Sequence, residues 1–148
     1  MVDGRLTEKQ AEALRTEIEE LEGPRRTEVV AAIKKAREFG DLSENFEYHA
    51  AKNEQGLLEA RIRTLRARLD HAEIVEKTTG DEVGIGSVVE VVDESGEQMT
   101  VEISAVGGAG TVSPTSPLGS ALLGHKAGEA VPVQAPRGAW QATIRAIR

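Results

Sequence analysis

The sequence predicts an α+β protein: an N-terminal antiparallel coiled-coil hairpin, then a small, mostly antiparallel β domain carrying one short helix. Three observations predict it. Apolar residues in the first half recur in steps of three and four. The periodicity changes near Thr78-Thr79-Gly80. Beyond that point valine-rich runs partly alternate between clusters of turn residues. The implied domains are residues 1–77 and 78–148.

In the first arm Leu14, Ile18 and Leu21 share one helical stripe, and Val29, Ile33 and Ala36 repeat the spacing. Gly23-Pro24 between them predicts a kink or short break, with Pro24 opening the continuation. In the second arm Leu58, Ile62, Leu65, Leu69 and Ala72 follow a heptad-like pattern, and Arg61, Arg63, Arg66 and Arg68 keep the other faces wet. Two such stripes joined by a short connection fold back on each other. Roughly 30 residues per arm at about 1.5 Å each gives a rod on the order of 45 Å, with its tip at the Phe39–Ser43 bend.

Strands are expected at Ser87–Val92, Gln98–Val106, Ala130–Gln134 and Ala139–Ile147. Glu94-Ser95-Gly96 and Pro136-Arg137-Gly138 supply turns. In Ser116–Gly124 the serine can cap a helix, Pro117 suits its first turn and Gly124 can close it. Gly107–Gly110 is a loop too short for a phosphate-binding fingerprint.

Composition narrows the function. The 148 residues carry a net charge of −7, which argues against wrapping duplex DNA by bulk electrostatics. With no cysteine, disulfide frameworks, zinc–cysteine sites and thiol nucleophiles are excluded. No apolar run approaches the ~18 residues of a membrane span, and the start MVDGRLTEKQ lacks a secretory layout, so a cytoplasmic protein is expected. His49, His71 and His125 are scattered, and Ser113, Ser116 and Ser120 have no paired histidine and acid.

The stretch FGDLSENFEYHAAKNEQG places Asp41 and Glu44 three residues apart at the tip. As a capping box, Asp41 would cap the second arm and Glu44 would reach back to its amide. If Ser43 caps instead, both carboxylates point outward. Two carboxylates alone make a poor magnesium site, but they can complete one whose other ligands belong to another molecule.

The run AIKKAREFGDLSENFEYHAAKNEQGLLEARI, with SPTSPLGSALLG and GHKAGE in the second half, resembles the GreA/GreB family of bacterial transcription elongation factors. The likeness covers both halves in order, and the tip lacks the basic run of the GreB branch. The resemblance implies an FKBP-like β domain that docks at the mouth of the RNA polymerase secondary channel while the coiled coil enters it. Asp41 and Glu44 would then share a second Mg²⁺ with the polymerase's aspartates and promote hydrolysis of backtracked RNA, as in two-metal chemistry. The ion is supplied at the polymerase active site; the factor, a monomer, is not itself the enzyme. By the same matching Asn45 and Tyr48 support the tip, and Arg37 and Lys52 face the nascent RNA 3′ end. Ser116, Pro117, Leu118, Gly119, Leu122 and Gly124 belong to the docking segment. An alternative is a paralogue of the same fold that occupies the channel and inhibits without cleavage; the D-L-x-E-N form of the tip favours cleavage. A prolyl isomerase reading has only Trp140 to line an aromatic pocket in the second half. Where the family has an acidic stretch before its second signature, this chain has the short GGAGT, a departure that bears on docking.

Overall fold

The computed structural model describes residues 4–40, 44–77 and 80–148. In chain order the elements are β1 (Arg5–Leu6), α1 (Glu8–Glu20), a π-helical segment (Leu21–Arg25), α2 (Arg26–Arg37), α3 (Phe46–Asp70) and β2 (Glu73–Ile74). Then come β3 (Val88–Val92), β4 (Gln98–Ile103), β5 (Thr111–Val112), α4 (Pro117–Leu122), β6 (Ala130–Ala135) and β7 (Gly138–Ile147). The chain divides into two compact units, residues 12–71 and residues 1–11 together with 72–148.

The helical unit is a hairpin. Val29 and Ile33 of α2 pack with Ala51, Leu58 and Ile62 of α3, flanked by Leu21 and Tyr48. Removing these side chains from water is what holds two amphipathic helices together. Arginine–glutamate pairs stitch the seam from outside. Arg26 grips Glu59 through Nε and Nη2, both at 2.9 Å; Arg25 reaches Glu54, and Arg66 clasps both carboxylate oxygens of Glu22. From Ala36–Asn45 to Arg25–Glu54 to Glu22–Arg66, later residues of α3 meet earlier residues of the first arm, so the arms are antiparallel.

Of the kink or short break expected at Gly23-Pro24, no break is present: the irregularity is a π-helical turn inside a continuous helix. Backbone angles stay helical at Glu20 (φ −61°, ψ −45°) and Arg25 (φ −65°, ψ −44°), and the Arg26 N–H reaches back to the Leu21 carbonyl. Proline has no N–H to give and its ring crowds the carbonyl four residues back. A widened five-residue turn absorbs both problems without ending the helix. Pro24 thus sits inside the turn and does not open the second helix.

The other unit holds a five-stranded sheet of order β5-β4-β3-β7-β6, antiparallel except for the β4–β5 pair. Alternation along the strands points Val89, Val91, Val101, Ile103, Val131, Val133, Ala142 and Ile144 into one core, which Leu122 of α4 joins. A register shift between Glu90 and Val91 interrupts the β3–β7 ladder. The four long strands and α4 fall where the sequence places them. The two-residue strands β1, β2 and β5 were not anticipated; β1 and β2 pair in parallel, Arg5 beside Glu73 and Leu6 beside Ile74. Next to β1 a Thr7–Gln10 capping box starts α1: each side chain accepts the other's backbone N–H. Gln10 also donates to the Ile103 carbonyl at 2.9 Å, tying the N-terminal segment to β4. Among the described residues no helix is long and apolar enough to cross a membrane.

Candidate functional site at the hairpin tip

The first arm ends by tightening. Glu38, Phe39 and Gly40 donate their N–H groups three residues back, to Lys35, Ala36 and Arg37, at 3.1–3.2 Å, and Gly40 adopts φ +96°. This satisfies carbonyls that the end of α2 would leave open. The second arm starts at Phe46 with Asn45 as its N-cap (φ −84°, ψ 100°): Asn45 Oδ1 accepts the Tyr48 N–H at 3.0 Å. A capping box from Asp41 to Glu44, or a cap at Ser43, is therefore not what starts α3. Asp41, Ser43 and Asn45 are all of capping type, and a partner remote in sequence selects Asn45. That partner is the Ala36 carbonyl, to which Asn45 Nδ2 donates at 2.6 Å.

Glu44 is exposed and stands immediately before this cap. Asp41 lies outside the described residues, so its placement beside Glu44 is not part of the geometry. Tyr48 is half-buried and packs on the hairpin seam, with the Arg37 guanidinium 5.9 Å from its ring centroid. Its ring also meets that of His49 edge-on at 5.7 Å. Arg37 is thereby anchored on the first arm, and Lys52 on the second bonds Gln55 at 3.0 Å while staying exposed. The apolar rings of Phe39 and Phe46 are 63% and 89% exposed, a feature of the tip to which no role was given from sequence. Among the described residues no group of three or more acids and histidines could hold a metal ion.

The Ser116–Gly124 segment is built tightly. Ser116 Oγ accepts the Gly119 N–H at 3.0 Å and donates to the Ser113 carbonyl at 2.6 Å, so the expected cap is present. Gly119 is buried, and Leu118 is partly buried against the sheet core. Leu122 is wholly buried, so its side chain serves this chain's own core and is not a docking contact. Pro117, Ser120 and Gly124 are the exposed residues of the segment; Gly124 donates its N–H to the Val83 carbonyl at 2.9 Å.

Two family models match this architecture end to end: the N-terminal domain of GreA/GreB transcription elongation factors over residues 5–74, and their C-terminal domain over residues 77–148. The chain belongs to the GreA/GreB family. It is 44% identical over 151 residues to transcription elongation factor GreA of Caldanaerobacter subterraneus subsp. tengcongensis, covering 97% of this chain and 96% of the relative. It is 43% identical to GreA of Streptococcus sanguinis, covering 94% and 91%. Among solved structures it is similar to the transcription factor Gfh1, at 31% identity and a TM-score of 0.50, covering 100% of this chain and 99% of that one. This GreA/GreB chain thus carries the family's helical and β parts in order. Its relatives are named as factors of transcription elongation.

Proposed function

We propose that this protein is a transcript cleavage factor: its coiled coil enters the RNA polymerase secondary channel, and its tip stimulates the polymerase's own hydrolysis of backtracked RNA. The observation that carries the reading is an exposed Glu44, set directly before a doubly bonded cap at the turn of a hairpin of GreA/GreB type. A slender two-helix arm buries only its seam, so it can deliver its end into a narrow passage. Asp41 and Glu44 would offer carboxylate oxygens to a Mg²⁺ that the polymerase's aspartates also hold. Glu44, exposed just before α3, can offer oxygens to an ion held mainly by another molecule. When bound, that ion supplies the Lewis-acid stabilisation and water activation of two-metal hydrolysis.

The remaining roles follow from where the side chains sit. Arg37, held over Tyr48, and Lys52 present positive charge from opposite arms to the phosphates of the RNA 3′ segment. The exposed side of the Ser116–Gly124 segment meets the polymerase rim. In this reading the protein acts as a monomer in the cytoplasm and is no enzyme by itself.

The test is RNA shortening in stalled, backtracked polymerase complexes with Mg²⁺. Wild type should accelerate cleavage, and Asp41→Ala or Glu44→Ala should cut the rate ~100-fold, since losing even a group behind a metal's ligands costs about 10–100-fold. Cleavage at the wild-type rate by the double alanine variant sinks the proposal. Slowed nucleotide addition without cleavage by wild type would assign the chain to a channel-occupying inhibitor of the same fold.

A further inference from the structure

The side-chain amide of Asn45 makes two bonds in opposite directions. Its Oδ1 accepts the Tyr48 N–H in the first turn of α3, at 3.0 Å, and its Nδ2 donates at 2.6 Å to the carbonyl of Ala36, nine residues back in the last turn of α2. The partners fix the orientation of the amide, because a peptide N–H can only donate and a carbonyl can only accept. The Ala36 oxygen also takes the Phe39 N–H at 3.2 Å, so one carbonyl ties together the end of α2, the turn after it and the start of α3. Ala32, Ala36, Ala50 and Ala51 line the cleft between the arms here, together with Lys35, Glu47 and Glu54.

Capping alone does not require asparagine. Ser, Thr and Asp also accept the N–H of a first turn. Only asparagine among the four adds an N–H donor on the same short side chain; aspartate has no donor, and serine stops one atom short. We infer that Asn45 is a positioning residue for the tip acids: its amide fixes the spacing of the two arms on either side of the segment that carries Asp41 and Glu44. This inference rests on the cleavage reading above for its consequence, but not for its geometry.

The two bonds can be separated. Asn45→Asp keeps the acceptor and loses the donor; Asn45→Ser keeps the acceptor without adding charge, and its hydroxyl, one atom shorter, does not span to the Ala36 carbonyl while capping. The chain has no cysteine, so Lys35→Cys with Asn53→Cys gives two exposed sites for spin labels on opposite arms. In the full-length protein both Asn45 variants should keep wild-type helix content yet give a broader and longer inter-arm distance distribution. In the cleavage assay their maximal rate should fall ~10- to 100-fold, as misplacement of reacting groups by about 1 Å does, with the half-saturating concentration unchanged. A wild-type distance distribution in either variant overturns the inference. So does a widened distribution with the wild-type maximal rate, or a rate loss confined to the aspartate. If wild-type protein does not stimulate cleavage at all, the functional reading fails while the distance measurement still decides whether Asn45 sets the spacing.

Discussion

Two glycines show how differently the same residue can be used. A Cβ built on Gly119 would lie 1.9 Å from the Ser113 carbonyl oxygen, and that oxygen is already fixed by the N–H and Oγ of Ser116. Backbone cannot yield as a flexible side chain can. Gly119→Ala should therefore cost ~2 kcal/mol or more, in the upper range for overpacking, and lower the melting temperature of the β unit by about 10 °C. Gly56, in the middle of α3, has nothing within 4 Å of such a Cβ. Gly56→Ala should stabilise the hairpin by ~1 kcal/mol, the helix-propensity difference between the two residues. Thermal unfolding of both variants followed by circular dichroism checks the pair of signs.

The arms owe their seam to apolar stripes and their edges to ion pairs, and the edges respond to pH. The Arg66 guanidinium, hydrogen-bonded to Glu22, holds that carboxyl below the usual glutamate range. A group whose pKa falls on folding contributes stability above its unfolded value and loses it as pH drops through the folded one. The contribution of Glu22 is thus complete at neutral pH and fades in acid. Glu22→Gln should lower the unfolding midpoint at pH 7 by a small amount, and the difference from wild type should close at strongly acidic pH. It should also shrink at ~1 M salt, because the pair is exposed and screened.

At this scale much was legible in the sequence. The stripes Val29–Ile33–Ala36 and Leu58–Ile62–Leu65 are buried as their spacing requires, and Ser116 caps α4 as its neighbours require. These signals are local. What the sequence did not yield is decided across the fold: D-L-S-E-N offers three capping residues, and the choice of Asn45 follows from a carbonyl on the other arm. Likewise, β1, β2 and β5 are two residues each, too short for any alternation to register. At Gly23-Pro24 the irregularity was legible, but its form was not: a widened turn keeps the helix continuous where proline reads as a stop.

For the whole molecule, the important point is that the β unit is not continuous in sequence. Residues 1–11 return to it through the β1–β2 pairing, the fully buried Leu6 and the Gln10 bond to Ile103. A fragment of residues 72–148 should therefore melt well below one in which residues 1–11 are joined to it by a short flexible linker. Equal melting temperatures would mean that the N-terminal segment is decoration. The same discontinuity orders events at the ribosome, where chains emerge N-terminus first. Residues 12–71 leave the exit tunnel complete, able to zip up at once. Arg5 and Gln10 must wait for a partner at residue 73 and a carbonyl at residue 103 that have not yet been translated. The helical unit is thus synthesised in full before the β unit can close.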